Sequence, residues 1–241
     1  MDAQALPSNT REIRRATGLL GSSLSFVAGY VDVVGFVALA GLFSAHVTGN
    51  FIMIGIELSG QQAGLLGKLL ALPTFVLAVA ATRVIEVRLA AANRSPAAYL
   101  LLAECVFLLL FMAAGIAASP LDDPATPTAL ATGLLAVIAM GIQNALSRTT
   151  LLELGPTTIM TGNTTQIVID LVDLPGATAS QRTTIHARLG KMVPALGGFA
   201  AGAIMGAYLH SALSMWSVLV PLIILLAVDA RLWFEQRIGA Q

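Results

Sequence analysis

Asp32, a carboxylate inside a long apolar run, and two copies of the tripeptide Thr-Gly-Asn, at 48–50 and 161–163, are the residues of this chain best placed to do chemistry. A charged group in hydrocarbon is expensive, so it faces a cavity, a partner or a path for ions and solutes. Threonine hydroxyls and asparagine amides can satisfy the free N–H groups at a helix start, and glycine lets backbones approach closely. Two helix starts at membrane depth would present positive dipole ends, a setting for an anionic or electron-rich ligand. The plainer alternative is a tight helix contact, with Asp32 hydrogen-bonded to the neighbouring helix start. Both alternatives place Asp32 beside the first tripeptide.

The tripeptide belongs to a larger duplication. Residues 48–58 read TGNFIMIGIEL and residues 161–171 read TGNTTQIVIDL, so Glu57 is answered by Asp170. Upstream, Gly29-Tyr30-Val31-Asp32 aligns with Gly141-Ile142-Gln143-Asn144; downstream, Leu66-Gly67-Lys68 aligns with Leu189-Gly190-Lys191. Polar residues repeated in an apolar context point to a pathway or binding site at a repeat interface. The candidates are Asp32, His46, Thr48, Gly49 and Asn50 in the first copy, with Gln143, Asn144, Thr161, Gly162 and Asn163 in the second. His46 is of the residue type that changes charge near neutral pH. Its matched position holds Ile159, so it has no symmetric role.

Composition decides what surrounds these groups. Hydrophobic residues make up 56% of the chain and charged residues 11%, with a mean hydropathy of +0.83. A soluble domain carries about 25% charge, so this is an integral membrane protein. Its 241 residues leave room for about six spans of roughly 20 residues and no separate soluble enzyme domain. The net charge is zero, which gives no electrostatic reason to expect nucleic acid. Cys105 is the single cysteine and cannot form an intrachain disulfide; it reads as core filler.

Six stretches are apolar and long enough to cross: 18–40, 64–82, 97–118, 128–147, 192–210 and 213–231. Two others, 49–58 and 162–172, open with Thr-Gly-Asn and, at about 1.5 Å per residue, rise only half the hydrocarbon thickness. With six spans and an inner N-terminus, twelve of the thirteen Lys and Arg residues fall inside and only Lys68 outside, as the positive-inside rule requires. Letting both short stretches cross degrades that to nine against four. Three spans per half makes the repeats inverted about an axis in the membrane plane. The expected fold is all-α, with six transmembrane helices and two half-helices. The expected layout is a cytoplasmic segment 1–17, repeat 18–118, external loop 119–127 with Asp122 and Asp123, repeat 128–233 and a cytoplasmic tail 234–241. Residues 173–191 read as a polar cytoplasmic loop.

Glu104 is the other intramembrane acid, expected to pair with an arginine of the cytoplasmic loop. Gly198, Gly202 and Gly206 recur every four residues, a close-packing pattern. Trp216 and Trp233 flank the last span as interface anchors. No H-E-x-x-H, G-x-S-x-G or phosphate-binding loop is present, and no Cys/His cluster has metal spacing, so neither enzyme activity nor a cofactor is expected.

The stretch from Gly29-Tyr30-Val31-Asp32 through Gly35 and Phe43 to Thr48-Gly49-Asn50, with Gly141-Ile142-Gln143-Asn144 and Thr161-Gly162-Asn163, resembles the YoaK-like family of small bacterial inner-membrane proteins (domain of unknown function 1275). The resemblance implies a six-span bacterial membrane protein and carries no catalytic residues. Opposed half-helices are also similar to the aquaporin architecture, but with a different tripeptide and placement. The reading is a small transporter or channel for a small polar or anionic solute. Its rival is a non-transporting assembly or signalling protein that uses the tripeptides for packing. The expected partners are the lipid bilayer, that solute and, if the chain self-associates, a second copy.

Overall fold

Prolines, threonines and left-handed turn residues set where the helices begin and end. In this computed structural model, residues 8–60, 64–121 and 123–239 are described; residues 61–63, Asp122 and the two chain ends, 1–7 and 240–241, lie outside that set. The helices are α1 Ser8–Ala38, α2 Asn50–Leu58, α3 Leu65–Ala91, α4 Pro96–Ala117, α5 Pro127–Arg148, α6 Met160–Asp173, α7 Ala179–Leu213 and α8 Leu219–Gly239. No strand occurs among the described residues. Pro96 and Pro127 occupy first-turn positions, where a missing N–H costs nothing. The Thr126 hydroxyl accepts the Ala129 N–H at the start of α5. Ala40 and Gly41, both with positive φ, turn the chain away from α1.

Several boundaries differ from the sequence reading: α1 begins at Ser8 rather than 18 and α8 spans Leu219–Gly239 rather than 213–231, and two more have a local cause. The supposed loop 173–191 is largely helix: Thr178 and Gln181 form a capping box, and α7 runs unbroken from Ala179 through the apolar stretch. Its polar first turns suited a loop by composition, but their capping signal outweighs that. Likewise α3 continues nine residues past 82 to Ala91, because Thr82–Ala91 holds no proline or glycine to stop it.

The tightest seam joins α1 to α7. A Cβ placed on Gly202 would lie 2.1 Å from the Phe26 carbonyl oxygen, and one on Gly198 2.4 Å from that of Ser22. Across the same seam, a Cβ on Gly29 would lie 2.3 Å from the Phe199 oxygen. Only glycine permits backbones this close. A second seam joins α3 to α5, where Gly141 faces Ala78 with 2.8 Å for an added Cβ. Helix α4 packs between α5 and α8, α2 lies along α3, and α6 lies along α7.

Five described stretches are long and apolar enough to cross a membrane; the last, Ala179–Phe234, contains α7 and most of α8. Leu77, Ile204 and Ile223 are exposed on the outside of the bundle, as expected for helices in contact with lipid. Trp216 is exposed and Trp233 meets Tyr99 edge-on, centroids 5.1 Å apart.

Candidate functional site: a carboxylate–histidine pair beside the first short helix

Between α1 and α2 the chain passes through turns and bends rather than an extended descent. The N–H groups of Ser44, Ala45 and His46 have no backbone partner there and must be satisfied. Asp32 does this from α1. Its Oδ1 accepts the backbone N–H groups of Ser44 and Ala45, each at 2.8 Å. The His46 N–H and Ser44 hydroxyl stand at 3.4 Å from the same oxygen. Successive N–H groups converging in this way make an anion-binding concavity, and the anion in it is the chain's own carboxylate. Asp32 therefore holds the loop ahead of the short helix rather than its first turn.

The second oxygen, Oδ2, meets His46 Nδ1 at 2.8 Å. An ionised carboxylate can only accept, so the hydrogen bond places a proton on Nδ1; in the neutral imidazole Nε2 is then the acceptor. The imidazole stands edge-on to Phe199 of α7, centroids 5.2 Å apart. Asp32 and His46 share a cavity of about 390 Å³ with Phe36, Phe43 and Phe199. Its wall is aromatic, and its polar groups are concentrated at this one pair.

The asparagines of the two tripeptides have a common task. Asn50 is buried and reaches back seven residues: its Oδ1 accepts the Phe43 N–H at 2.9 Å and its Nδ2 donates to the Phe43 carbonyl at 2.8 Å. Asn163 reaches back the same seven residues to the Pro156 carbonyl, at 2.9 Å. Proline has no N–H, so the second ring is half closed. Gly49 is needed because a Cβ there would come within 2.9 Å of the Phe43 ring. Gly162 meets no such neighbour: its nearest would be Ile159, at 3.9 Å. Neither Thr48 nor Thr161 acts as a helix cap, and both are exposed. Thr161 lines a shallow cavity along α6 with Thr164 and Thr165, away from Asp32.

On α5, Asn144 Oδ1 accepts from the Thr158 hydroxyl at 2.6 Å, fourteen residues on, the same separation as Asp32 and His46. Gln143 Nε2 donates to the Leu24 carbonyl of α1 at 2.8 Å and to the Thr157 hydroxyl at 3.1 Å. These amides thus tie the second loop to α5 and α1. Ser44, Phe199, Thr157 and Thr158 were not singled out from sequence; the repeated fourteen-residue spacing is the signal that finds the second pair.

Each short helix is also anchored at its far end. Glu57 of α2 pairs with Lys68 of α3, whose side chain is 0% exposed and also donates to the Ala40 carbonyl at 2.6 Å. Asp170 of α6 binds Arg188 of α7 through both oxygens, Nε to Oδ2 at 3.0 Å. Sequence alignment matched Lys68 with Lys191, but Lys191 instead pairs with Glu153 at 3.2 Å. Among the described residues, no group of three or more His, Cys, Asp or Glu could hold a metal. No curated protein and no solved structure matches the chain. An all-helical fold of apolar spans built around paired Thr-Gly-Asn segments agrees with the one comparison that does match: the chain belongs to the family described as "Protein of unknown function (DUF1275)", whose model matches residues 20–230.

Proposed function

We propose that this chain is a small transporter or channel of a bacterial inner membrane, with six spans, both termini cytoplasmic, and its pathway between two inverted repeats. One observation carries the reading: the Asp32–His46 pair faces an open, aromatic-walled recess of about 390 Å³ beside the α1–α7 seam of an apolar bundle. A carboxylate needed only to tie a loop would have no reason to present a histidine to open space. The repeat reading is supported by four correspondences: the seven-residue asparagine reach-back, the fourteen-residue bonds, the ion pair from each short helix to the next long one, and the glycine seams at Gly29 and Gly141. Asp32 already fills the N–H concavity, so an anion would compete with it there. The solute that fits is a small polar molecule with an apolar body and a hydrogen-bond donor for His46 Nε2. Enzymatic chemistry is not part of the proposal: the Ser44 hydroxyl stands on Asp32, the wrong end of the pair for a nucleophile activated by histidine.

The test combines access and flux. Cysteines at positions 46 and 203 in otherwise intact protein should react with a membrane-impermeant thiol reagent, and proteoliposomes should swell in iso-osmotic glycerol or urea. Asp32→Asn should slow swelling while the protein still elutes as a folded species. The rival reading, a non-transporting assembly or signalling protein, draws on the outward-facing Thr48 and Thr161 and the internally used Asn50 and Asn163. It wins if both cysteines stay unlabelled and no solute enters.

A further inference from the structure

Glu104 occupies the face of α4 that also carries Leu101, Leu108 and Phe111, all 0% exposed; spacings of three and four residues stack side chains on one helix face. It lies eight residues past Pro96, the first residue of α4, or about 12 Å into the helix at about 1.5 Å per residue. Neither Oε1 nor Oε2 has a hydrogen-bond partner. The arginine partner expected from sequence is therefore not there. Helix α4 packs against α3, α5, α8 and the turn at 214–218. The charged and titratable groups described on those elements are Lys68, Arg83, Glu86 and Arg88 on α3, Arg148 on α5, and Asp229 and Arg231 on α8; Cys105 is its neighbour on α4. None hydrogen-bonds to Glu104. Lys68 and Arg83 are engaged with Glu57 and Glu86. Two further buried oxygens without partners stand on helices packed against α4: Gln143 Oε1 on α5 and Asp229 Oδ1 on α8. The bundle interior thus holds hydrogen-bonding capacity that the protein itself leaves unused, with an acid among it.

A carboxylate charge with neither donor nor cation is not sustained in an apolar interior, whereas the neutral acid is. We propose that Glu104 is an intramembrane proton site, resting on the transport reading above: it holds a proton while the bundle is closed around it and exchanges that proton with water when the pathway opens, coupling solute movement to the proton gradient. The step balances. A proton from water on one side adds to a carboxylate oxygen to give the neutral acid, and the same O–H returns the proton to water on the other side. Asp32 is a different kind of group, since its oxygens have backbone donors and His46 as hydrogen-bond partners.

The experiment uses the full-length protein in proteoliposomes. At neutral pH its infrared spectrum should contain the carbonyl stretch of a protonated carboxylic acid. That band should be lost in Glu104→Gln, displaced in Glu104→Asp and kept in Asp32→Asn. With glycerol or urea present at equal concentration on both sides, a potassium diffusion potential set with valinomycin should then drive proton uptake, read by an internal pH dye. Uptake should be lost in Glu104→Gln and partly kept in Glu104→Asp. A spectrum with no band that depends on residue 104 overturns the proposal, as does equal proton uptake by wild type and Glu104→Gln. If Glu104→Gln does not fold, displacement of the band in Glu104→Asp decides the same question. Glycerol or urea swelling separates the two readings: swelling without a Glu104-dependent band removes only the proton site, and absence of swelling removes the transport reading itself.

Discussion

The two loops that lead into the short helices are fastened alike and equipped differently. In both, an asparagine at the helix start holds a carbonyl seven residues back. In both, a side chain of the preceding long helix bonds a residue fourteen positions on. At the first loop that side chain is a carboxylate, it gathers backbone N–H groups, and its partner is a histidine beside a cavity. At the second it is an amide bonded to a threonine hydroxyl, and the neighbouring glutamine reaches α1. The common part is architecture, so it recurs; the part that differs is the charge, so function is to be sought at the first loop.

Six substitutions probe that contrast, from the largest expected effect to the smallest. Asp32→Ala strips the Ser44 and Ala45 N–H groups of their acceptor. A buried donor without a partner costs about 1–3 kcal/mol, so this variant should lose the most stability in denaturant unfolding from lipid nanodiscs. Gly29→Ala forces a Cβ against backbone at 2.3 Å, whereas Gly141→Ala meets only a side-chain methyl at 2.8 Å. Overpacking costs about 1–3 kcal/mol, with Gly29→Ala toward the upper end and Gly141→Ala toward the lower. A reversed order would mean that the two seams are not equivalent in the way the repeat suggests. Asn144→Ala removes one neutral hydrogen bond to Thr158 and should cost about 1 kcal/mol; a loss equal to that of Asp32→Ala would break the charged-versus-neutral distinction. Thr48→Ser and Thr161→Ser, at exposed positions, should stay within about 0.5 kcal/mol of wild type in the same unfolding measurement.

Much of this was legible in the residues. Apolar length and the Thr-Gly-Asn copies locate the long and short helices, because both signals are local. The sequence placed Asp32 beside the first tripeptide but not its bond to His46, which closes through a loop whose path depends on Asn50 and Gly49. The role of the threonines was misread for a related reason. A cap residue is recognised by type, yet here Asn50 and Asn163 turn back to Phe43 and Pro156 while Thr48 and Thr161 point outward. Alignment gave Lys191 as the mate of Lys68, but the side chain that reaches Asp170 is Arg188. Glu104 shows the opposite failure: sequence supplied a plausible cation, and packing placed none there.

The seam between α1 and α7 also bears on how the molecule is made. Gly29 and Phe199 touch across 170 residues of chain, so the ribosome delivers α1 to the bilayer long before its main neighbour exists. Until then the bared backbone of α1, with Asp32 on the same helix, has only lipid or a membrane insertase to cover it. Chains halted at the 119–127 connection would carry that face uncovered. Such fragments are natural substrates for the proteases that survey the membrane, and maturation of the first half has to wait for the second.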